Sequence, residues 1–137
     1  GYRRHTHRLT TDVAYARHRR AHPVARQHLK RAEALLKKDE PGPFYEELER
    51  AVLGFVGNRI NVAELGLTRA QLDARLAEAG VPASTRTALQ HLLASCDRAR
   101  FAPERPTPAS MEASLDAAHN LIVALDEAFS RQATVSA

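Results

Sequence analysis

One run of spacing restricts the fold more than any other feature of the chain. Met111, Leu115, Ala118, Ile122, Leu125 and Phe129 alternate steps of four and three without a miss. That period matches the turn of an α-helix and leaves a single apolar stripe. Five turns are short for an intermolecular coiled coil, which needs three or four sustained heptads, so the stripe is expected to be covered within a bundle.

The rest of the chain can supply the cover. Ala25, Leu29, Ala32 and Leu36 repeat the step on a helix expected over residues 11–38. Pro23 should kink or divide that long first helix, because proline lacks a donor and clashes one turn back. Asp39, Glu40, Pro41, Gly42 and Pro43 predict a turn, and a second helix is expected over residues 44–60. Its apolar positions (Phe44, Tyr45, Leu48, Ala51, Val52, Phe55, Val56, Ile60) form a stripe wide enough for several neighbours, which places it at the centre.

The third helix has the clearest start. Thr68 and Gln71 fit a capping box, and Leu67 and Leu72 fit the hydrophobic staple that accompanies one. Gly80 is a typical residue just past a helix end, with Val81 and Pro82 behind it. A fourth helix should run to about Arg98 with Leu89, Leu92, Leu93 and Cys96 inward. After the proline-rich link of Pro103 and Pro106, Thr107 as N-cap and Pro108 behind it open the fifth. No strand, repeat or low-complexity tract is present. The expected fold is all-α: one bundle of about five helices over residues 25–131, preceded by a basic arm (1–24) and followed by a frayed tail (132–137).

Few aromatic residues and no Trp fit this helical reading. The longest apolar run, residues 51–57, is far short of the roughly 20 residues of a membrane span, and the start has no secretory h-region. A single cysteine, Cys96, excludes an internal disulfide and fits a reducing compartment.

Charge is unevenly spread. Residues 1–31 carry nine Lys or Arg against Asp12 alone, whereas residues 32–137 carry 11 basic and 15 acidic side chains, so +8 and −4 make up the net +4. Such a terminal block suggests an anionic surface: nucleic acid, acidic headgroups or an acidic partner. The chain starts at Gly1 rather than Met, and the expectation is a fragment whose natural N-terminus lies elsewhere. A basic cluster following a membrane span would obey the positive-inside rule.

Candidate chemistry is sparse. His5 and His7, and the pair His18 and His22, invite a metal, but Arg17, Arg19 and Arg20 repel a cation and a solvated basic face is the better account. Cys96 lies on an apolar stripe, where burial makes a thiol inert. Gly54 and Gly57 mimic a phosphate loop, yet no Gly-Lys-Ser/Thr follows, so they read as close helix packing. Glu46, Glu47 and Glu49 read as a solvated first turn. No acid–base pair or nucleophile signature stands out, which predicts a non-enzymatic domain with no cofactor, no metal and no small-molecule substrate. Helices three and four resemble a helix-turn-helix in outline. The second of them offers only Arg86 and His91 for reading bases, too few donors for a recognition helix. A soluble nucleic-acid-binding module is therefore kept as the alternative.

The run HLKRAEALLKKDEPGPFYEELERAVLGFVGNRINV, then LTRAQLDARLAEAGVP, then LLASCDRARFAP, resembles the C-terminal cytosolic region of the BatD family of aerotolerance-associated bacterial membrane proteins. The elements that carry the resemblance are Phe44, Tyr45 and Leu48; Leu67 and Thr68; Gly80 and Val81; Leu92 and Leu93; and Arg100, Phe101, Ala102 and Pro103. They span about residues 25–130, and their order and spacing matter more than any one motif. Gly54 and Gly57 depart from the bulkier residues of the family pattern. The resemblance implies a helical tail that follows one membrane span at the cytoplasmic face of the inner membrane. It also implies a scaffold or adaptor role beside MoxR-type AAA+ ATPases and von Willebrand A-domain membrane proteins, in envelope stress and oxygen tolerance. Arg3, Arg4, Arg8, Arg17, Arg19 and Arg20 would then meet anionic lipid headgroups, each worth about 1 kcal/mol near the surface.

Overall fold

Proline stands at or near the start of four helices, where its missing N–H costs nothing and its fixed φ suits the first turn. The computed structural model describes residues 23–60 and 66–136, and in it these starts organise five helices. They are α1 (Pro23–Lys37), α2 (Pro41–Ile60), α3 (Arg69–Glu78), α4 (Ala83–Phe101) and α5 (Pro108–Ser136). Among the described residues there is no strand. The fold is an all-α bundle.

The first described helix starts at Pro23, the first described residue; the expected kink or division at Pro23, and residues 11–22, lie outside what is described. α1 ends in a Schellman turn: Asp39 N–H bonds Leu36 O and Glu40 N–H bonds Leu35 O, with Asp39 itself at φ 56°. The chain then enters α2 at once. Pro41, Gly42 and Pro43, expected as turn, are instead the first turn of the helix. Neither proline has a donor to lose there, and the first ladder bond, Phe44 N–H to Glu40 O, already spans them.

The remaining ends follow their capping chemistry. Thr68 Oγ1 accepts from Gln71 N–H at 3.1 Å, and Gln71 Oε1 returns the bond to Thr68 N–H at 2.9 Å. Gly80 sits at φ 88° in a second Schellman turn that buries Val81. α4 runs to Phe101, three residues past the expected Arg98, because no breaker intervenes before Pro103. Thr107 Oγ1 caps Ser110 N–H at 3.1 Å. α5 continues to Ser136, and residues 132–136 hold neither proline nor glycine.

α2 is central, packed against α1, α4 and α5, whereas α3 packs chiefly on α4. The core joins Leu29 and Ala32 of α1, Phe44, Leu48, Val52 and Val56 of α2, Leu76 of α3, Leu89 and Leu93 of α4, and the whole Met111-to-Phe129 stripe of α5. Cross-links give the directions. His28 meets Glu47, so α1 and α2 are antiparallel; Tyr45 meets Ser114 and Arg59 meets Asp126, so α2 and α5 run parallel.

Gly54 was expected to permit close packing, and it does not. A Cβ at this mid-helix position meets nothing within 4 Å. Gly54→Ala should therefore stabilise the bundle by about 0.5–1 kcal/mol through helix propensity and a less flexible unfolded chain. Urea unfolding reads this directly, and a loss of stability would mean the groove beside Gly54 is occupied.

Candidate functional site

Lys and Arg balance Asp and Glu across the described residues, fourteen of each. The net positive charge of the chain therefore lies elsewhere: residues 1–22 hold six arginines against Asp12, and Glu64 falls in the other segment outside the description. Arg3, Arg4, Arg8, Arg17, Arg19 and Arg20 lie outside the described residues, as do His5, His7, His18 and His22. No group of three or more His, Cys, Asp or Glu among the described residues could hold a metal ion. None of the described helices is long and apolar enough to cross a membrane.

The charges inside the bundle mostly tie helices together. Glu47 accepts from His28 Nδ1 at 2.6 Å and joins α2 to α1. Glu49, its side chain 18% exposed, accepts from Arg100 Nη2 at 3.1 Å and Arg69 Nη2 at 3.4 Å, joining α2 to α4 and α3. Arg69 also faces Asp97 at 3.6 Å. The hydrogen bond to Glu49, backed by its charge, holds the Arg100 guanidinium more firmly protonated than usual. Arg59 pairs with Asp126 at 2.9 Å and lies over the rings of Phe129 and Phe55, at 5.1 and 5.6 Å from their centroids.

This corrects the reading of Glu46, Glu47 and Glu49 as a solvated first turn. α2 starts three residues earlier than expected, so all three fall beyond its first turn, and Glu46 alone of them is exposed. The missed signal was spacing. Glu49 lies between the apolar positions Leu48 and Ala51, one residue after the first and two before the second, at the edge of the buried stripe.

Cys96 is buried next to that cluster, and its thiol is pushed up to about 12, first by burial and then by the carboxylates of Glu49 and Asp97. Such a group is neither a nucleophile nor a metal ligand at neutral pH.

A groove of about 340 Å³ runs between the end of α4 and the start of α5, over Tyr45. Its wall is rich in hydroxyls, and they are engaged with one another or with backbone. Tyr45 Oη lies 3.1 Å from Ser114 Oγ, Ser110 Oγ donates to Thr107 O at 2.9 Å, and Arg98 Nη2 donates to Ser95 Oγ at 3.2 Å. Arg105, on the rim, donates to Asp39 O at 2.6 Å and so clamps the proline-rich link onto the α1–α2 turn. No His, Cys or Lys lines the groove, and Glu104 is the one carboxylate in its wall.

Arg86, the first base-reading candidate, is turned inward on its own hairpin. Its Nη1 donates to both carboxylate oxygens of Asp73, at 3.1 and 3.0 Å, and its Nε donates to Val81 O at 3.1 Å. His91 is exposed.

Most of the residues that carry the family resemblance are core and cap positions. Phe44, Tyr45, Leu48, Val81, Leu92 and Leu93 are buried, and Gly80 has the positive φ of a helix end. Phe101 departs from that pattern at 76% exposure, with the Arg100 guanidinium 5.8 Å from its ring centroid. Comparison with protein-family models, with curated proteins and with solved structures finds no match.

Proposed function

We propose that this chain is a non-catalytic protein-interaction domain, a scaffold or adaptor, at the cytoplasmic face of a bacterial inner membrane. Its N-terminal arm rests on anionic headgroups and its bundle meets protein partners. The observation that carries the reading is the separation of charge: a bundle with balanced charges beside an arm that holds six arginines and one acid. Attraction of that size is worth several kcal/mol at an anionic surface and falls off within a Debye length, about 10 Å at 0.1 M salt.

The order of the helix motifs supports a BatD-like membrane protein as the parent. On that reading the partners are MoxR-type AAA+ ATPases and von Willebrand A-domain proteins, acting in envelope stress and oxygen tolerance. The nucleic-acid alternative has less support, since Arg86 is committed to Asp73 and Val81.

Vesicle sedimentation tests the membrane contact. The chain should bind phosphatidylcholine vesicles only when phosphatidylserine is included. Replacing Arg3, Arg4, Arg8, Arg17, Arg19 and Arg20 by Gln should lower the partition coefficient by at least about a hundredfold. Binding that ignores both the lipid charge and the arginines would remove the headgroup contact from the proposal.

A further inference from the structure

We propose that the outward face of α1 is a second headgroup-contact surface, so that the first helix lies along an anionic bilayer. The inference rests on the membrane reading above and extends it from the arm to the folded domain.

Helical geometry makes the face. At about 100° per residue, Gln27, Lys30, Arg31, Ala34, Lys37 and Lys38 fall in one arc of roughly 120°, opposite the buried Ala25, Leu29 and Ala32. All six are exposed. The arc carries four cations and no carboxylate, over a length of roughly 16 Å at 1.5 Å per residue. Glu33 lies outside it, on the flank. Asp39 and Glu40 come after the helix end, and Asp39 is already engaged by Arg105.

The four cations differ from six arginines elsewhere in the bundle. They share the lack of a carboxylate partner among the described residues with Arg75, Arg98 and Arg131, which are spread over three other helices. Arg50, Arg59, Arg69, Arg86, Arg100 and Arg105 each have a carboxylate within 4 Å, the distance over which an ion pair forms. Lys30, Arg31, Lys37 and Lys38 have none among the described residues. A mixed surface would scatter both signs, as α2 does. Here one sign is sorted onto one side of one helix, the helix into which the basic arm leads.

A lipid surface fits this chemistry better than a nucleic acid. Three of the four cations are lysines, point charges on flexible stems that suit a diffuse layer of headgroups. The face offers Gln27 alone as an amide for base edges. Val24, 62% exposed, continues the face one turn toward the arm and places an apolar side chain beside the cations. Basic residues next to an apolar contact are the pattern of helices that lie in the headgroup boundary.

The test uses the full chain and vesicles of phosphatidylcholine with or without phosphatidylserine. The combined variant Lys30→Gln, Arg31→Gln, Lys37→Gln and Lys38→Gln should partition at least about tenfold more weakly onto the anionic vesicles. Circular dichroism should be unchanged, because all four side chains are exposed. A control with Arg75→Gln and Arg131→Gln, exposed cations on other helices, should bind like the parent chain.

Wild-type partitioning of the α1 variant, with loss in the arm variant, would overturn this inference and leave the arm's contact standing. No loss in either variant would overturn both. Equal weakening toward duplex DNA at the same salt would make the face a general polyanion surface and overturn the lipid assignment.

Discussion

Replacing Phe44 by alanine is expected to destabilise the bundle by about 3–5 kcal/mol, the range for deleting a buried aromatic side chain. Phe44 has no exposed surface and packs edge-to-face on Tyr45, with ring centroids 4.9 Å apart and planes at 88°. It also stands at the start of the central helix, beside the turn that leads out of α1. The cavity left behind would be lined by groups held on other helices, so it cannot collapse fully. For a chain of this size the loss corresponds to a fall in melting temperature of roughly 10 °C or more. A domain stability of about 5–15 kcal/mol would be cut by roughly a fifth or more. Tyr45→Phe is the companion measurement, since it keeps the ring and removes only the contact with Ser114 Oγ. A loss below about 1 kcal/mol for Phe44→Ala would mean that the start of α2 does not belong to the core.

The second large effect is chemical. With its thiol pushed up to about 12 from 9.0, Cys96 should be thiolate about a thousandfold less often at pH 8 than an exposed cysteine. A thiol reagent should accordingly label native protein at least about a thousandfold more slowly than protein unfolded in urea. Rapid native labelling would put Cys96 at the surface. The same residue gives stability a pH dependence whose sign can be worked out. Below pH 9 the thiol is protonated in both folded and unfolded chains and contributes no slope. Above pH 9 the unfolded chain releases the proton and the folded chain does not, so stability falls. The slope contributed is about 1.4 kcal/mol per pH unit until the folded thiol also ionises near pH 12. Cys96→Ala should remove that part of the alkaline loss. Urea midpoints from pH 8 to 10.5 would show it as a divergence between the two proteins.

Local signals that act within one turn were readable from the residues. Thr68 with Gln71, Gly80, and Thr107 with Pro108 each specify a helix end through hydrogen bonds between near neighbours in the chain. The stripe on α5 was equally plain, because a helix with one apolar face has one way to bury it. Pro41, Gly42 and Pro43 misled for a physical reason: the residues that break a helix interior are tolerated in its first turn. Glu47 and Glu49 were misread because their partners, His28, Arg69 and Arg100, lie 19 to 51 residues away in the chain. Charge composition pointed to a basic segment but ended it at Arg31. Only the angular position around α1 joins Lys37 and Lys38 to Lys30 and Arg31.

The parallel course of α2 and α5 has a mechanical consequence. Because α1 runs against α2, and α5 runs with it, Pro23 and Ser136 lie at the same end of the bundle, with the Asp39–Arg105 clamp at the other. Tension applied between those two ends would not draw α1 and α5 along each other's length, the loading that engages all their shared contacts at once. It would part them from one end, a turn at a time, and the clamp would be the last point to feel the load. A domain tethered in this way yields readily to a pull across its ends and keeps its far end intact while doing so.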